Sequence, residues 1–179
     1  MRVPEIADEE TTPPADQAPL LEGRESFEWF YRREYRRVLV LAHVWSGNPS
    51  LAEELTQEAF IAAYREWDRI DSPEWWIRKV LANKARSLLR RRYAEARALA
   101  RVGARRETTV DAMPAESAHF WAEVRRLPAR QAQAITLFYL EDRSVADTAA
   151  ILGCSESTAR VHLMRGRTAL AQRLALEET

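Results

Sequence analysis

Apolar residues recur along most of this chain at the three- and four-residue spacing of α-helices, and the strict alternation of strands is rare. This pattern predicts a first helix from about Glu25 to Trp45 and a second from about Ser50 to Trp67. A Gly-Asn-Pro-Ser turn separates them, and Ser50 with Glu53 has the spacing of a capping box. Only 5 glycines occur in 179 residues. Together these features predict an all-α fold.

The spacing of apolar and polar residues over 75–92 predicts a third helix. At about 100° per residue, this helix has two different faces. Its apolar side holds Ile77, Val80, Leu81, Ala85 and Leu88. Its opposite side holds Lys79, Asn83, Arg86 and Arg90, with Trp75 and Trp76 near the two edges. Cations neutralise phosphates and aromatic rings stack on unpaired bases, so this face suits single-stranded nucleic acid. A solvated basic face beside two core tryptophans remains the alternative.

A second set of helices follows, and its last two have helix-turn-helix spacing. Ser144 and Asp147 form a cap pattern, Gly153 can end the first helix with a positive φ, and Ser155 can cap the second. The second helix turns outward Ser157, Arg160, Val161, Met164, Arg165 and Arg167. Its N-terminal half could enter a major groove, where arginine reaches guanine edges. A plain helical hairpin would show the same spacing.

Charge is distributed unevenly although the formal net charge is zero. Residues 1–28 carry 2 basic and 8 acidic groups, whereas residues 29–107 carry 17 basic and 10 acidic groups. A basic centre of this kind is typical of proteins that bind a polyanion such as nucleic acid. Composition then predicts a disordered, acidic, proline-bearing tail over 1–24, helical domains over 25–92 and 117–176, and a flexible linker over 93–116.

Several functional classes are disfavoured. Cys154 is the single cysteine, so the chain can form neither an internal disulfide nor a zinc cluster, and a reducing, cytoplasmic setting is expected. The sequence offers no signal-peptide pattern and no membrane span. It also lacks a nucleophile–base pair, a glycine-rich phosphate loop and metal-ligand spacing, which argues against an enzyme, a cofactor or a metal site.

Two units suited to nucleic acid, one for unpaired bases and one for a duplex groove, occur here in one short chain. In this combination the sequence resembles the bacterial sigma factors of the extracytoplasmic-function class over about residues 26–92 and 117–175. The motifs that carry the resemblance are Leu55–Phe60, Trp76–Arg86, Leu127–Gln131, Tyr139–Glu141 and Leu152–Arg160. It implies a region 2 domain over 25–92 and a region 4 helix-turn-helix domain over 117–176.

The resemblance also implies residue roles and partners. Glu54, Gln57 and Glu58 would bind core RNA polymerase at its beta-prime clamp, and the second domain would bind the beta flap. Promoter DNA would be bound at the minus-10 element by Trp75, Trp76, Lys79, Asn83, Lys84, Arg86 and Arg90. The minus-35 element would be read by Ser157, Arg160, Val161, Met164 and Arg165. Asn83 would touch a flipped base and Trp76 would wedge the upstream edge of the bubble. An anti-sigma factor is a further possible partner.

Other functions stay open at this point. An ordinary helix-turn-helix regulator would use its N-terminal helices to dimerise or to sense a ligand, and a helical adaptor would bind acidic partners. The acidic tail could also mask the basic centre in cis. Two departures from the family pattern, Thr148 and Ala159 in place of larger aliphatic residues, predict looser packing of the last domain.

Overall fold

The computed structural model describes residues 20–21, 24–99 and 115–177. A short antiparallel hairpin, β1 (Leu20–Leu21) and β2 (Arg24–Glu25), precedes the helices. The helices are α1 (Phe27–Ser46), α2 (Pro49–Arg65), α3 (Pro73–Leu99), α4 (Ala115–Arg125), α5 (Ala129–Tyr139), α6 (Val145–Leu152) and α7 (Glu156–Glu177), with a short 3-10 helix at Trp67–Arg69. The predicted all-α fold is therefore confirmed. The disordered tail and the flexible linker were predicted mostly at positions outside the described residues.

The N-terminal half consists of α1, α2 and α3 packed around one apolar core. Phe30, Leu41, Phe60 and Leu81 are among its buried residues. Phe27 adds edge contacts with the rings of Phe60 and Trp67. The helix α3 runs to Leu99, beyond the predicted domain boundary at 92. This half therefore presents one long helix whose first turns are anchored in the core.

The cap of α2 differs from the prediction. Asn48, not Ser50, is the N-cap, and its side chain accepts a hydrogen bond from the Leu51 N–H at 3.0 Å. The physical reason is Pro49, since proline is favoured at the first helical position, where its missing N–H costs nothing. Gly47 ends α1 with φ 65°. The predicted turn is present, and the helix begins one residue before Ser50.

The C-terminal half contains α4 to α7, and its last two helices form the predicted helix-turn-helix. Ser144 and Asp147 make a complete capping box at the start of α6. Gly153 ends α6 with φ 64°, a left-handed conformation that glycine adopts without steric cost. Ser155 Oγ accepts a hydrogen bond from the Thr158 N–H at 3.2 Å and so caps α7. Ala159 and Leu163 are buried beneath the turn, as their spacing predicted.

The two halves lie against each other. The helix α3 packs on α5 and α6, while α1 packs on α4 and α5. Gln133 of α5 donates a buried hydrogen bond of 2.7 Å to the Ala82 carbonyl of α3, and Arg78 of α3 bonds to Glu141. The face of α3 predicted to bind DNA therefore lies beside an interface between the halves.

Candidate nucleic-acid and polymerase interfaces

The two faces predicted for the third helix are present on α3. Lys79, Asn83, Arg86 and Arg90 are all exposed, in one row along the helix. Across the helix, Ile77, Leu81 and Ala85 are fully buried. The apolar contacts fix the rotation of α3, so three cations and one amide are presented to solvent together. This arrangement can neutralise phosphates and offer hydrogen bonds to a base edge.

Trp75 and Trp76 are half-buried at the N-terminal end of that row. They line an open cavity of about 420 Å³ together with Lys79. Its other walls come from the segment 69–72 and from Ala150 and Ile151 of α6. Both indole rings are thus accessible in part, and the helix-turn-helix covers one side of the space beside them.

Lys84 does not lie in the exposed row. It is one residue beyond Asn83, about 100° around the helix, and its Nζ lies 2.5 Å from Glu58 Oε2 of α2. By its spacing Lys84 lies near the middle of the apolar side, and its charge pairs with Glu58 beside α2. Lys84 and Glu58, predicted to serve different partners, are therefore brought together.

The residues predicted to read duplex DNA are brought together on one face of α7. Ser157, Arg160, Val161, Met164 and Arg165 are all exposed. Arg160 Nη2 bonds to Glu156 Oε2 at 2.8 Å, an i,i+4 pair near the helix start. Because that pair is exposed it holds Arg160 only weakly, and the guanidinium can exchange this carboxylate for a base or a phosphate.

Arg130 of α5 is a basic residue that sequence reasoning did not select for this surface. Burial lowers its pKa, and the nearby Arg86 guanidinium of α3 lowers it further. Burial likewise lowers the pKa of His162 on α7, with additional contributions from Arg130 and Arg165. Arg130 is therefore near Arg86 of the basic row and near His162 of α7. Its proximity to Arg86 depends on tertiary packing, and no local motif signals it.

The three residues predicted to bind polymerase, Glu54, Gln57 and Glu58, are exposed on one face of α2. The same face continues with Ile61 and Tyr64, whose side chains are 51% and 67% exposed. Ile61 and Tyr64 follow Glu54, Gln57 and Glu58 at helical spacing. The sequence could therefore have indicated that they share this face. The result is an acidic and amide-bearing surface with an apolar end, a composition suited to a protein partner.

No group of three or more His, Cys, Asp or Glu side chains within the described ranges is arranged to hold a metal ion. Among the helices that the structure describes, none is both long and apolar enough to cross a membrane.

Two family models match this chain. Residues 30–95 match sigma-70 region 2 and residues 120–170 match sigma-70 region 4. The first match contains α2 and the basic row of α3, and the second contains the helix-turn-helix. The ECF RNA polymerase sigma factor SigM of Mycobacterium tuberculosis is 28% identical over 168 residues, covering 87% of this chain and 81% of SigM. The ECF RNA polymerase sigma factor SigE of Mycolicibacterium smegmatis is 30% identical, covering 84% of this chain and 62% of SigE.

Solved structures show the same fold. The sigma factor RpoE of Bartonella quintana, crystallised with the anti-sigma factor NepR, aligns with a TM-score of 0.70 at 23% identity, covering 83% of this chain and 96% of RpoE. CnrH in complex with the cytosolic domain of CnrY aligns with a TM-score of 0.61 at 23% identity, covering 84% and 88%. With both family models in order along it, the chain belongs to the sigma-70 family of RNA polymerase sigma factors, in the extracytoplasmic-function class.

Proposed function

We propose that this sigma factor binds core RNA polymerase in the cytoplasm and directs it to promoters by reading a minus-35 duplex and unpaired minus-10 bases. The observation that carries the proposal is the exposed row of Lys79, Asn83, Arg86 and Arg90 beside two half-buried tryptophans, on the same chain as a capped helix-turn-helix. No covalent step is involved. Binding energy would drive DNA opening as bases exchange stacking within DNA for contacts on α3.

The exposed face of α2 is the proposed docking site for the beta-prime clamp of core polymerase. Glu54, Gln57 and Glu58 supply its polar part, and Ile61 and Tyr64 supply its apolar part. The C-terminal half would contact the beta flap. RpoE and CnrH were each solved with a protein bound, an anti-sigma factor in the case of RpoE. An inhibitory protein partner is accordingly proposed for this chain as well.

Binding of the fluorescently labelled chain to purified core polymerase tests this assignment directly. The double variant Gln57→Ala/Glu58→Ala should weaken binding at least tenfold, because removal of a few central contacts costs more than about 1 kcal/mol each at protein interfaces. Glu66→Ala is the matched control, since Glu66 is an exposed carboxylate just beyond the end of α2. Absence of binding by the unmodified chain, or equal loss in the control, would contradict the proposed polymerase site.

The salt dependence of binding to a single-stranded oligonucleotide tests the DNA face. Each phosphate contact to a single strand contributes about 0.7 to the slope of log K against log salt. Arg86→Gln should therefore reduce the slope by roughly 0.7, whereas Lys84→Gln should leave it nearly unchanged because that ammonium lies beside α2, outside the exposed row. Equal reductions would return Lys84 to the DNA-binding row. An unchanged slope in Arg86→Gln would exclude Arg86 as a phosphate contact.

A further inference from the structure

A cavity of about 520 Å³ lies between a stripe of α1 and the segment 140–143 that follows α5. Five arginines line it, and none of the described residues around it belongs to the basic row of α3. The α1 wall has the spacing of one helix face, since Arg33, Arg36, Arg37 and Val40 recur at intervals of three or four residues. Its volume falls within the range of small-molecule sites in proteins.

Two of these arginines are already neutralised by carboxylates. The guanidinium of Arg78, only 1% exposed, donates to Glu34 at 2.9 Å and also donates to Glu141. The Arg33 guanidinium contacts Glu74 at 2.8 Å. Arg78 and Arg33 therefore shape the cavity and leave little charge for a ligand.

The remaining donors stand on both walls. Arg36 is exposed and forms no ion pair with any residue that the structure describes. Its neighbour Arg37 is 65% exposed, and its contact with Glu34 is long, at 3.4 Å. On the opposite wall, the Nε of Arg143 is buried and has no hydrogen-bond partner within the described ranges. Because a buried donor without an acceptor is costly, an oxygen placed beside Arg143 Nε would be bound favourably.

Asp142 adds an acceptor next to the Arg143 donor. It lines the cavity, is exposed and has no ion pair in the described part of the chain. Its backbone φ is 52°, a left-handed conformation that aspartate adopts more readily than most residues. An ionised carboxylate accepts hydrogen bonds without donating any, and its two oxygens can accept two parallel N–H groups. The 142–143 wall therefore pairs a double acceptor with a donor.

These two walls match the two ends of a guanine nucleotide. Phosphate oxygens suit guanidinium donors such as those of Arg36 and Arg37. Guanine carries a carbonyl acceptor beside two parallel N–H donors on one edge, which matches Arg143 beside Asp142. Adenine reverses this order, with an amino donor beside a ring-nitrogen acceptor. A DNA duplex is too wide to enter a cavity of this volume.

We propose that this cavity binds a guanine nucleotide, with the phosphates on Arg36 and Arg37 and the base edge on Asp142 and Arg143. The site does not depend on the proposed role in transcription, because no residue of the α2 face or of the α3 row contributes to it.

Isothermal titration calorimetry of the full chain tests the site, with GTP, ATP and tripolyphosphate as separate probes in magnesium-free buffer. GTP should bind at one site and about tenfold or more tightly than ATP, because adenine opposes its amino group to Arg143 and its ring nitrogen to Asp142. Tripolyphosphate should bind more weakly than GTP, because it offers no base edge. Absence of GTP binding up to about 1 mM would overturn the proposal.

The phosphate end is tested by Arg36→Gln/Arg37→Gln, which should weaken GTP binding about tenfold or more because two charge-assisted contacts are lost. Arg32→Gln is the matched control. Arg32 lies one turn before Arg36 on the same helix, is 70% exposed and pairs with Glu28 outside the cavity. This control should bind GTP as the unmodified chain does. Equal losses in both variants would show unspecific attraction to a basic helix and would overturn the site.

The base end is tested by Asp142→Asn. Asparagine also tolerates a positive φ, so the backbone is retained, while its NH₂ group opposes the guanine donors. GTP affinity should fall about tenfold, whereas the affinity for tripolyphosphate should not fall. Equal affinity of the unmodified chain for GTP and ATP, or undiminished GTP binding by Asp142→Asn, would overturn the assignment of guanine. Equal affinity for GTP and tripolyphosphate would overturn the assignment of a nucleotide.

Discussion

Replacing Thr148 with valine should stabilise this protein. The side chain is fully buried in α6, and its Oγ1 has no hydrogen-bond partner among the described residues. A buried hydroxyl without a partner costs about 1–3 kcal/mol. Valine keeps the β-branched shape, puts a methyl group in place of that hydroxyl and has nearly the same helix propensity. We therefore expect the free energy of unfolding to rise by about 1–2 kcal/mol.

Thr136 provides the matched comparison, because it is also fully buried in a helix of the same half. Its Oγ1 donates a hydrogen bond of 2.8 Å to the Ala132 carbonyl. Thr136→Val removes that bond, while the carbonyl keeps its backbone partner one turn later. The expected loss is about 0.5–1 kcal/mol. One chemical change at two buried threonines should thus act with opposite sign.

Urea unfolding followed by far-UV circular dichroism measures both variants. The slope against denaturant should not change, because neither variant alters the surface exposed on unfolding. In thermal unfolding, each kcal/mol corresponds to about 2–4 °C for a chain of this size. If Thr148→Val is neutral or destabilising, or if the two variants shift stability in the same direction, the reasoning from unpaired hydroxyls is refuted.

Two further predictions concern the turn and the histidines. Gly153→Ala should destabilise the protein by about 1 kcal/mol, because φ is +64° and a Cβ would meet nothing within 4 Å, which leaves backbone strain as the cost; unchanged urea stability would contradict this. Burial and Arg125 lower the pKa of His43 below 6.5, so the unfolded chain binds the proton more readily. The contribution of His43 to stability is therefore fully present above pH 6.5 and is lost as the pH falls below it. In urea unfolding at a series of pH values, His43→Gln should flatten part of that slope below pH 6.5. His162→Gln should flatten a further part, because the pKa of His162 is also lowered.

Features set by local sequence could be predicted well. The two faces of α3 follow from helical periodicity, and the helix-turn-helix follows from Ser144, Gly153 and Ser155, whose capping roles involve neighbours within a few residues. The α2 cap was predicted wrongly because Asn48 and Ser50 are both good capping residues, and the outcome depends on Pro49 between them. The assignments of individual side chains to polymerase and DNA remain predictions.

The features that depend on tertiary contact could not be predicted. Glu141 and Arg78 are 63 residues apart in the chain, and nothing near either residue marks the other as its partner. In the sequence Arg78 is one of several cations in a basic helix, yet in the structure it is buried beside Glu34 of α1 and Glu141 after α5. Lys84 was a similar case, since its pairing depends on the position of Glu58 across from it on α2.

The helix α3 carries the proposed DNA-binding row and also contacts the other half of the molecule. A substitution on α3 can therefore report on DNA opening only if it leaves that contact intact. Trp76 of this helix lines a cavity shared with Ile151 of the other half, so Trp76→Ala would alter the packing between the halves together with any contact to DNA. Asn83 is exposed in the middle of the basic row and does not line that cavity. Loss of promoter opening in Asn83→Ala, with closed-complex binding retained, would therefore identify base capture more cleanly than the same result from Trp76→Ala. A defect seen only with Trp76→Ala would instead point to the contact between the halves.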